Sequence, residues 1–173
     1  MTMEDVLAQI VRKAEKEGAS EAEAFFCDKT ELQVRAKKKQ VKIGEQRREI
    51  GVGIRVAVKR NGVPALGFSY TTDFTEDALD KTIKQALKIC LVRKPDPDFK
   101  GFSDKKPYKH VAEIFDKNIL ELQPEEVIDL VGRQIELAST DKRVDVINGF
   151  TNLLTNEIAL TNSITSLTVF FTS

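Results

Sequence analysis

Apolar positions along this chain change their period several times, and each change marks a new element. Val6, Leu7, Ile10, Val11 and Ala14 recur at helical spacing and predict an amphipathic helix over 2–17. Thr2 and Asp5 stand where a capping box would open it, with Asp in place of the usual Glu, and Gly18 stops it. The cluster Ala22, Ala24, Phe25, Phe26 and Cys27 predicts a strand over 21–29 buried on both faces. Leu32, Val34 and Ala36 continue with period two, and Val41 and Ile43 resume it after a polar turn at Lys37, Lys38 and Lys39.

The stretch GVGIRVAVKRNGVPALGFSY, from Gly51 to Tyr70, sets an apolar row against two glycines and an alanine. Small residues on a sheet mark either a closely approaching ligand or a bulky neighbour that needs room. Asn61-Gly62 is a strong signal for a two-residue type I′ turn. Closing the hairpin there sets Arg60 opposite Val63, Val58 opposite Ala65, Val56 opposite Gly67 and Ile54 opposite Ser69. On the other face Ala57 meets Leu66, Arg55 meets Phe68 and Gly53 meets Tyr70. Directly opposed residues share a face, so large faces small across the hairpin and Tyr70 is expected to cover Gly53. The hairpin's own packing then accounts for the small residues without a ligand. Pro64 cannot donate to a ladder, which predicts an edge strand or a bulge at that point.

A second helix follows Thr75, its N-cap, with Phe74 and Leu79 placed as a hydrophobic staple. Leu79, Ile83, Ala86, Leu87 and Cys90 line its buried face, and Lys94-Pro95 ends it. Pro95 to Tyr108 reads as an extended loop. Pro124 opens a third helix, with Val127, Ile128, Val131, Ile135 and Ala138 as its stripe. Three short strands are then expected around Val144–Val146, Ile158–Leu160 and Leu167–Phe171. The order is helix, four strands, helix, loop, helix, three strands. That order indicates an α+β fold, a mainly antiparallel sheet with three helices packed against it.

Composition changes this picture little. Of the 173 residues 41% are hydrophobic and 31% charged, with Lys plus Arg equal to Asp plus Glu, a globular composition without the basic excess of a nucleic-acid binder. No apolar run reaches bilayer length, and the charges throughout Met1 to Glu17 do not read as a secretory signal. Cys27 and Cys90 are too few for a disulfide framework and sit in apolar settings, which predicts buried thiols and a cytoplasmic protein. The basic hairpin 35–42 offers a nucleic-acid reading, since its cations could neutralise phosphates. The competing reading is a solvated tip whose lysines block edge-to-edge pairing, and the zero net charge favours it.

Catalytic sets are harder to find. His110 is the one histidine, so no His-x-x-x-His pair exists, and neither does a Cys-x-x-Cys. It reads as a loop residue. No Gly-x-Ser-x-Gly elbow and no phosphate loop occur, and Gly51-x-Gly53 leads into a strand, the wrong context for a dinucleotide. Carboxylates are plentiful, but their spacing selects no acid/base pair. The residues thus assign no catalytic, cofactor-binding or metal-binding position.

Several stretches taken together carry a resemblance: Ala19-Ser-Glu-Ala-Glu-Ala-Phe25, Gly51 to Val58, Gly67 to Leu79, Pro95-Asp-Pro-Asp98, Pro124 to Ile128 and Asp141-Lys-Arg143. In this order they resemble the N-terminal domain of the TldD/PmbA family, also called modulators of DNA gyrase, and look closer to the PmbA branch. The resemblance implies that 1–173 is a single N-terminal domain of a longer two-domain protein. Within it, 1–95 would hold a helix, four strands and a helix, 96–123 a loop, and 124–173 a helix and three strands. The apolar strand signal interrupted at Ser173 fits that expectation. TldD-type members are metallopeptidases whose His-Glu-x-x-x-His ligands lie beyond this region, and PmbA-type subunits lack them. The family connection implies a non-catalytic domain that helps form an access path and dimer surface for processing unfolded peptides. Its partner would be a TldD-type or identical subunit. Zinc, where present, would sit in the C-terminal domain or in that partner, with no cofactor in this chain. The gyrase name gives no reason to expect DNA contact.

Overall fold

In a computed structural model of the chain, residues 2–104, 112–164 and 168–172 are described. The element order is α1 (Met3–Lys16), β1 (Glu21–Lys37), β2 (Gln40–Arg60), β3 (Val63–Thr71), α2 (Glu76–Val92), α3 (Lys117–Glu121), α4 (Pro124–Ser139), β4 (Asn148–Asn162) and β5 (Thr168–Thr172). The strands form one sheet in the order β3-β2-β1-β4-β5. This is the α+β architecture expected from the chain order, with a multi-stranded antiparallel sheet and helices packed against it.

By contact density the chain forms two compact units. One comprises Met1–Asp28, Ile50–His110 and Glu157–Phe170; the other comprises Lys29–Glu49, Val111–Asn156 and Phe171–Ser173. In the first unit Leu7, Ile10, Val11 and Ala14 of α1 share a core with Ile83, Ala86 and Cys90 of α2. Beneath them lie Ala22, Ala24 and Phe26 of β1, Val52, Ile54 and Val56 of β2, Ala65 of β3 and Ala159 of β4. Each fully buried aliphatic side chain contributes about 1.5–3 kcal/mol by leaving water. Helix α1 starts as its sequence requires. The Asp5 amide donates to the Thr2 hydroxyl at 3.3 Å, and the Thr2 amide donates to the Asp5 carboxylate at 2.9 Å. Thr75 caps α2 by accepting from the Ala78 amide, and Phe74 and Leu79 both pack against this core.

In the second unit Val127, Val131 and Ile135 of α4 cover Leu32, Val34 and Ala36 of β1. Helix α4 begins at Pro124, and the Gln123 amide before it donates to Glu126 Oε2 at 2.8 Å.

Four expectations need correction. Three strands, not four, separate the first two helices, because 41–43 and 51–60 belong to the single 21-residue strand β2. The linking residues Glu45 to Glu49 are exposed on both faces, so no alternation marks them as strand. Helices number four among the described residues, α3 being too short to show a period. Val144–Val146 is irregular, so two strands follow α4. Finally, Cys90 is buried as anticipated, but Cys27 is only half-buried and Phe25 is 39% exposed. The strand over 21–29 is therefore buried on both faces only around Ala22, Glu23 and Ala24.

Candidate functional site

The hairpin between β2 and β3 sets the geometry of the most distinctive surface in the first unit. Asn61 and Gly62 adopt φ of 51° and 82°, the left-handed pair that a type I′ turn requires. The register is the one the turn dictates, running without a bulge from Arg60↔Val63 to Val52↔Thr71. Across such a turn Arg60 and Val63 exchange hydrogen bonds, and bonded and non-bonded pairs then alternate. Residues 63, 65, 67, 69 and 71 therefore spend their main-chain groups on β2. Pro64, Leu66, Phe68 and Tyr70 point theirs away from it. Strand β3 lies at the end of the sheet, so those groups face its outer edge. Pro64 occupies an outward position, where its missing N–H removes no ladder bond. Its carbonyl accepts the Asp96 amide at 2.7 Å.

Edge strands usually carry charges that discourage further pairing. The sequence of β3, VPALGFSYT, carries none. Phe68 and Tyr70 stand on the face opposite the helices, their rings stacked 6.4 Å apart, 50% and 72% exposed. Phe68, not Tyr70, covers Gly53: a Cβ built there would lie 3.0 Å from the Phe68 ring. Gly67 is small for a different reason from the cross-strand pairing with Val56. Helix α2 rests directly on it, and a Cβ would come 1.9 Å from the Ala86 carbonyl oxygen. Beside Phe68 in the register, Arg55 donates through Nε and Nη2 to the buried Glu23 carboxylate at 2.9 and 2.5 Å. Its guanidinium also lies 5.1 Å above the Phe102 ring, a cation–π contact.

The residues that carried other chemical readings are placed elsewhere. At the basic hairpin tip, Lys38 and Lys39 form the turn with φ of 53° and 61°. The Lys38 amide donates to Asn148 Oδ1, the Lys39 amide to the Ile147 carbonyl, and Lys39 Nζ to the Val144 carbonyl at 2.5 Å. Lys42 Nζ donates to Gln40 and Arg35 to Gln33. Lys39 thus fastens the turn through its side chain and Lys38 through its main chain, while Lys42 and Arg35 bond glutamines on their own strands. Cys90 is fully buried, its Sγ 3.6 Å from the Val56 carbonyl, and burial pushes the thiol pKa up. His110 lies outside the described residues. Among the described residues no group of three or more His, Cys, Asp or Glu side chains converges.

Described residues also line two clefts. One of about 150 Å³ lies between α1 and α2 over Ile10 and Ile83, rimmed by the Lys13–Asp80 ion pair and Glu76. The hydrogen bond from Lys13 to Asp80 raises the Lys13 pKa. The other, about 220 Å³, lies in the second unit between α3 and Thr30, Leu32, Leu153 and Thr155. Neither gathers a reactive set. The β3 edge bears no reactive side chain, because its chemistry is main-chain, and Pro64 is its one signal in the sequence.

Residues 22–90 match the model of the family described as PmbA/TldA metallopeptidase domain 1. Homology to the N-terminal domain of the TldD/PmbA family is supported over that segment. The likeness of fold extends further. TldE from Thermococcus kodakarensis superimposes with a TM-score of 0.81 at 16% identity, over 96% of this chain and 36% of that one. A Thermotoga maritima protein described as a candidate modulator of a DNA gyrase gives 0.82 at 19%, over 99% and 37%. A Bacteroides thetaiotaomicron protein with the corresponding description gives 0.75 at 14%, over 96% and 38%. At such identities the likeness is one of fold, and the chain spans 36–38% of the length of these structures. No curated protein matches it in sequence. No helix among the described residues is long and apolar enough to cross a membrane.

Proposed function

We propose that this chain serves as the N-terminal, non-catalytic domain of a TldD/PmbA-type metalloprotease or of its PmbA-type partner subunit, with the motif order favouring the PmbA branch. It would help form the access path and dimer surface through which unfolded peptides are processed in the cytoplasm. A hydrolytic zinc would be held outside these residues, in a C-terminal domain or in a TldD-type partner. The reading rests on one observation above all: β3 is an uncharged strand at the end of the sheet, and its Leu66, Phe68 and Tyr70 main-chain groups point away from β2. An unfolded peptide adds to such an edge through backbone hydrogen bonds, which require no particular side chain. That indifference to sequence suits a protein that must accept many unfolded segments. The match of residues 22–90 to a metallopeptidase family's first domain supplies the second support.

Amide chemical shifts of the full chain, recorded with and without a reduced, alkylated and hence unfolded protein, test this. Shifts are expected at Leu66, Phe68 and Tyr70. Titration that moves no amide along any strand edge would overturn peptide addition.

A further inference from the structure

The segment that follows α2 does more than connect it. Residues 93–104 form no helix or strand, yet the segment is fastened along its length. The Asp96 amide holds the outward carbonyl of Pro64 at 2.7 Å, and the Asp98 amide returns to the Asp96 carboxylate at 3.0 Å. Phe102 is 5% exposed beneath the Arg55 guanidinium, and its amide donates to Glu21 Oε2 at 3.0 Å. Gly101, at φ +124°, lets the chain pass that carboxylate, since a Cβ would lie 3.2 Å from it. Asn162 Nδ2 holds the Ser103 carbonyl at 3.1 Å.

We infer that this strap is an end stop for strand addition to β3, and that the edge beyond it selects extended segments with alternating apolar residues and no lysine or arginine. The inference rests on the peptide-binding reading above and makes it specific. The strap already occupies the first outward position, so a strand added from outside cannot pair past Leu66. At the other end β3 stops at Thr71. The open stretch is therefore Leu66 to Tyr70, about five residues or some 17 Å of extended chain. Side chains of an added strand that lie directly opposite Leu66, Phe68 and Tyr70 share their face and meet the Phe68 and Tyr70 rings. Charge complementarity argues against a cationic occupant. β3 has no ionic side chain. On that face Arg55 beside Phe68 and Glu23 are bonded to each other, and the exposed Lys59 stands opposite Pro64 at the strap end. A lysine laid along this edge would lose water, find the Glu23 carboxylate already taken and meet the Lys59 charge.

The test compares acetylated, amidated peptides of alternating Thr and Val, six and ten residues long, with a six-residue Thr–Lys peptide, on the full-length chain. Both Thr–Val peptides are expected to slow exchange of the Leu66, Phe68 and Tyr70 amides and to bind within about twofold of each other, because the extra residues find no edge. The Thr–Lys peptide should bind at least about fivefold more weakly. Asp96→Pro deletes the amide that holds Pro64. In that variant the ten-residue peptide should gain about two- to tenfold over the six-residue one, the worth of one added hydrogen bond. A comparable gain with length in the unmodified chain, or equal binding of Thr–Lys, overturns the end stop and its selectivity while leaving strand addition standing. Absence of protection by every peptide removes the peptide-binding reading itself, and this inference with it.

Discussion

Gly53 and Gly67 show how much a single residue's surroundings decide. Both sit in the same hairpin opposite large residues, and the alternation of large and small was legible from the Asn61-Gly62 turn. What lies over each was not. Gly67 is pressed by the main chain of α2, since an added Cβ would come 1.9 Å from the Ala86 oxygen and 2.9 Å from Cys90 Sγ. Gly53 is overlain only by the half-exposed ring of Phe68, which can swing aside. Gly67→Ala is therefore expected to cost about 3 kcal/mol, because a helix must lift off the sheet. Gly53→Ala should cost about 1 kcal/mol or less. Thermal or urea melts of the two variants check the order; equal losses would mean that α2 does not seat on Gly67. A local pattern reports strand neighbours through the register, whereas the helix that crosses a strand is fixed by packing between distant segments. Phe68 taking the role expected of Tyr70 has the same origin, because side-chain lean is set by the surrounding face.

Elements with a cap or a turn signal were readable, and those without one were not. Thr2, Thr75 and Pro124 mark three helix starts that the structure reproduces. The five-residue α3 and the doubly exposed middle of β2 carry no period to read. The β2–β3 turn depends on its two positive φ values, so replacing Asn61-Gly62 by Ala-Ala should destabilise by about 2 kcal/mol, visible as a lower melting temperature. Helix α1 and the approach to α2 carry a pH dependence. The Asp5 carboxylate is held below its ordinary value first by the Thr2 amide and then by the Thr2 hydroxyl. Asp73 is held low chiefly by the Thr75 amide. Groups depressed in the folded state give stability that is complete above the unfolded carboxylate range near about pH 4 and lost as pH falls through the lower folded values. Melting temperature should thus drop on acidification below about pH 4, and Asp5→Asn with Asp73→Asn should flatten that drop. An unchanged slope in the double variant would mean that these two bonds carry none of the dependence.

At the scale of the whole molecule, chain order and spatial order part company. The family match ends at residue 90, and the sequence places a natural pause at Pro95, yet the first unit is not complete there. It draws in the strap over 96–104 and the end of β4 from Glu157. Ala159 is 1% exposed within the same core as Leu7 and Ile54. The end of β4 is fastened to the start of β1 by the Ser163 amide on the Ala22 carbonyl at 2.9 Å and the Ala22 amide on Ser163 Oγ at 2.8 Å. Phe102, buried under Arg55, arrives with the strap. A fragment of residues 1–95 would lose all three. It would also turn β1, which lies between β2 and β4 in the sheet, into an edge with unpaired amides along its apolar stretch Ala24–Cys27, a template for pairing with another chain. The fragment is therefore expected to lack the cooperative thermal transition of the full chain and to associate as its concentration rises. Calorimetry and light scattering on both at equal concentration decide it. A fragment that stayed monomeric and melted as sharply as the whole would mean that β4 and the strap merely decorate a core sufficient in itself, and the edge of β3 would then have to be judged without its stop.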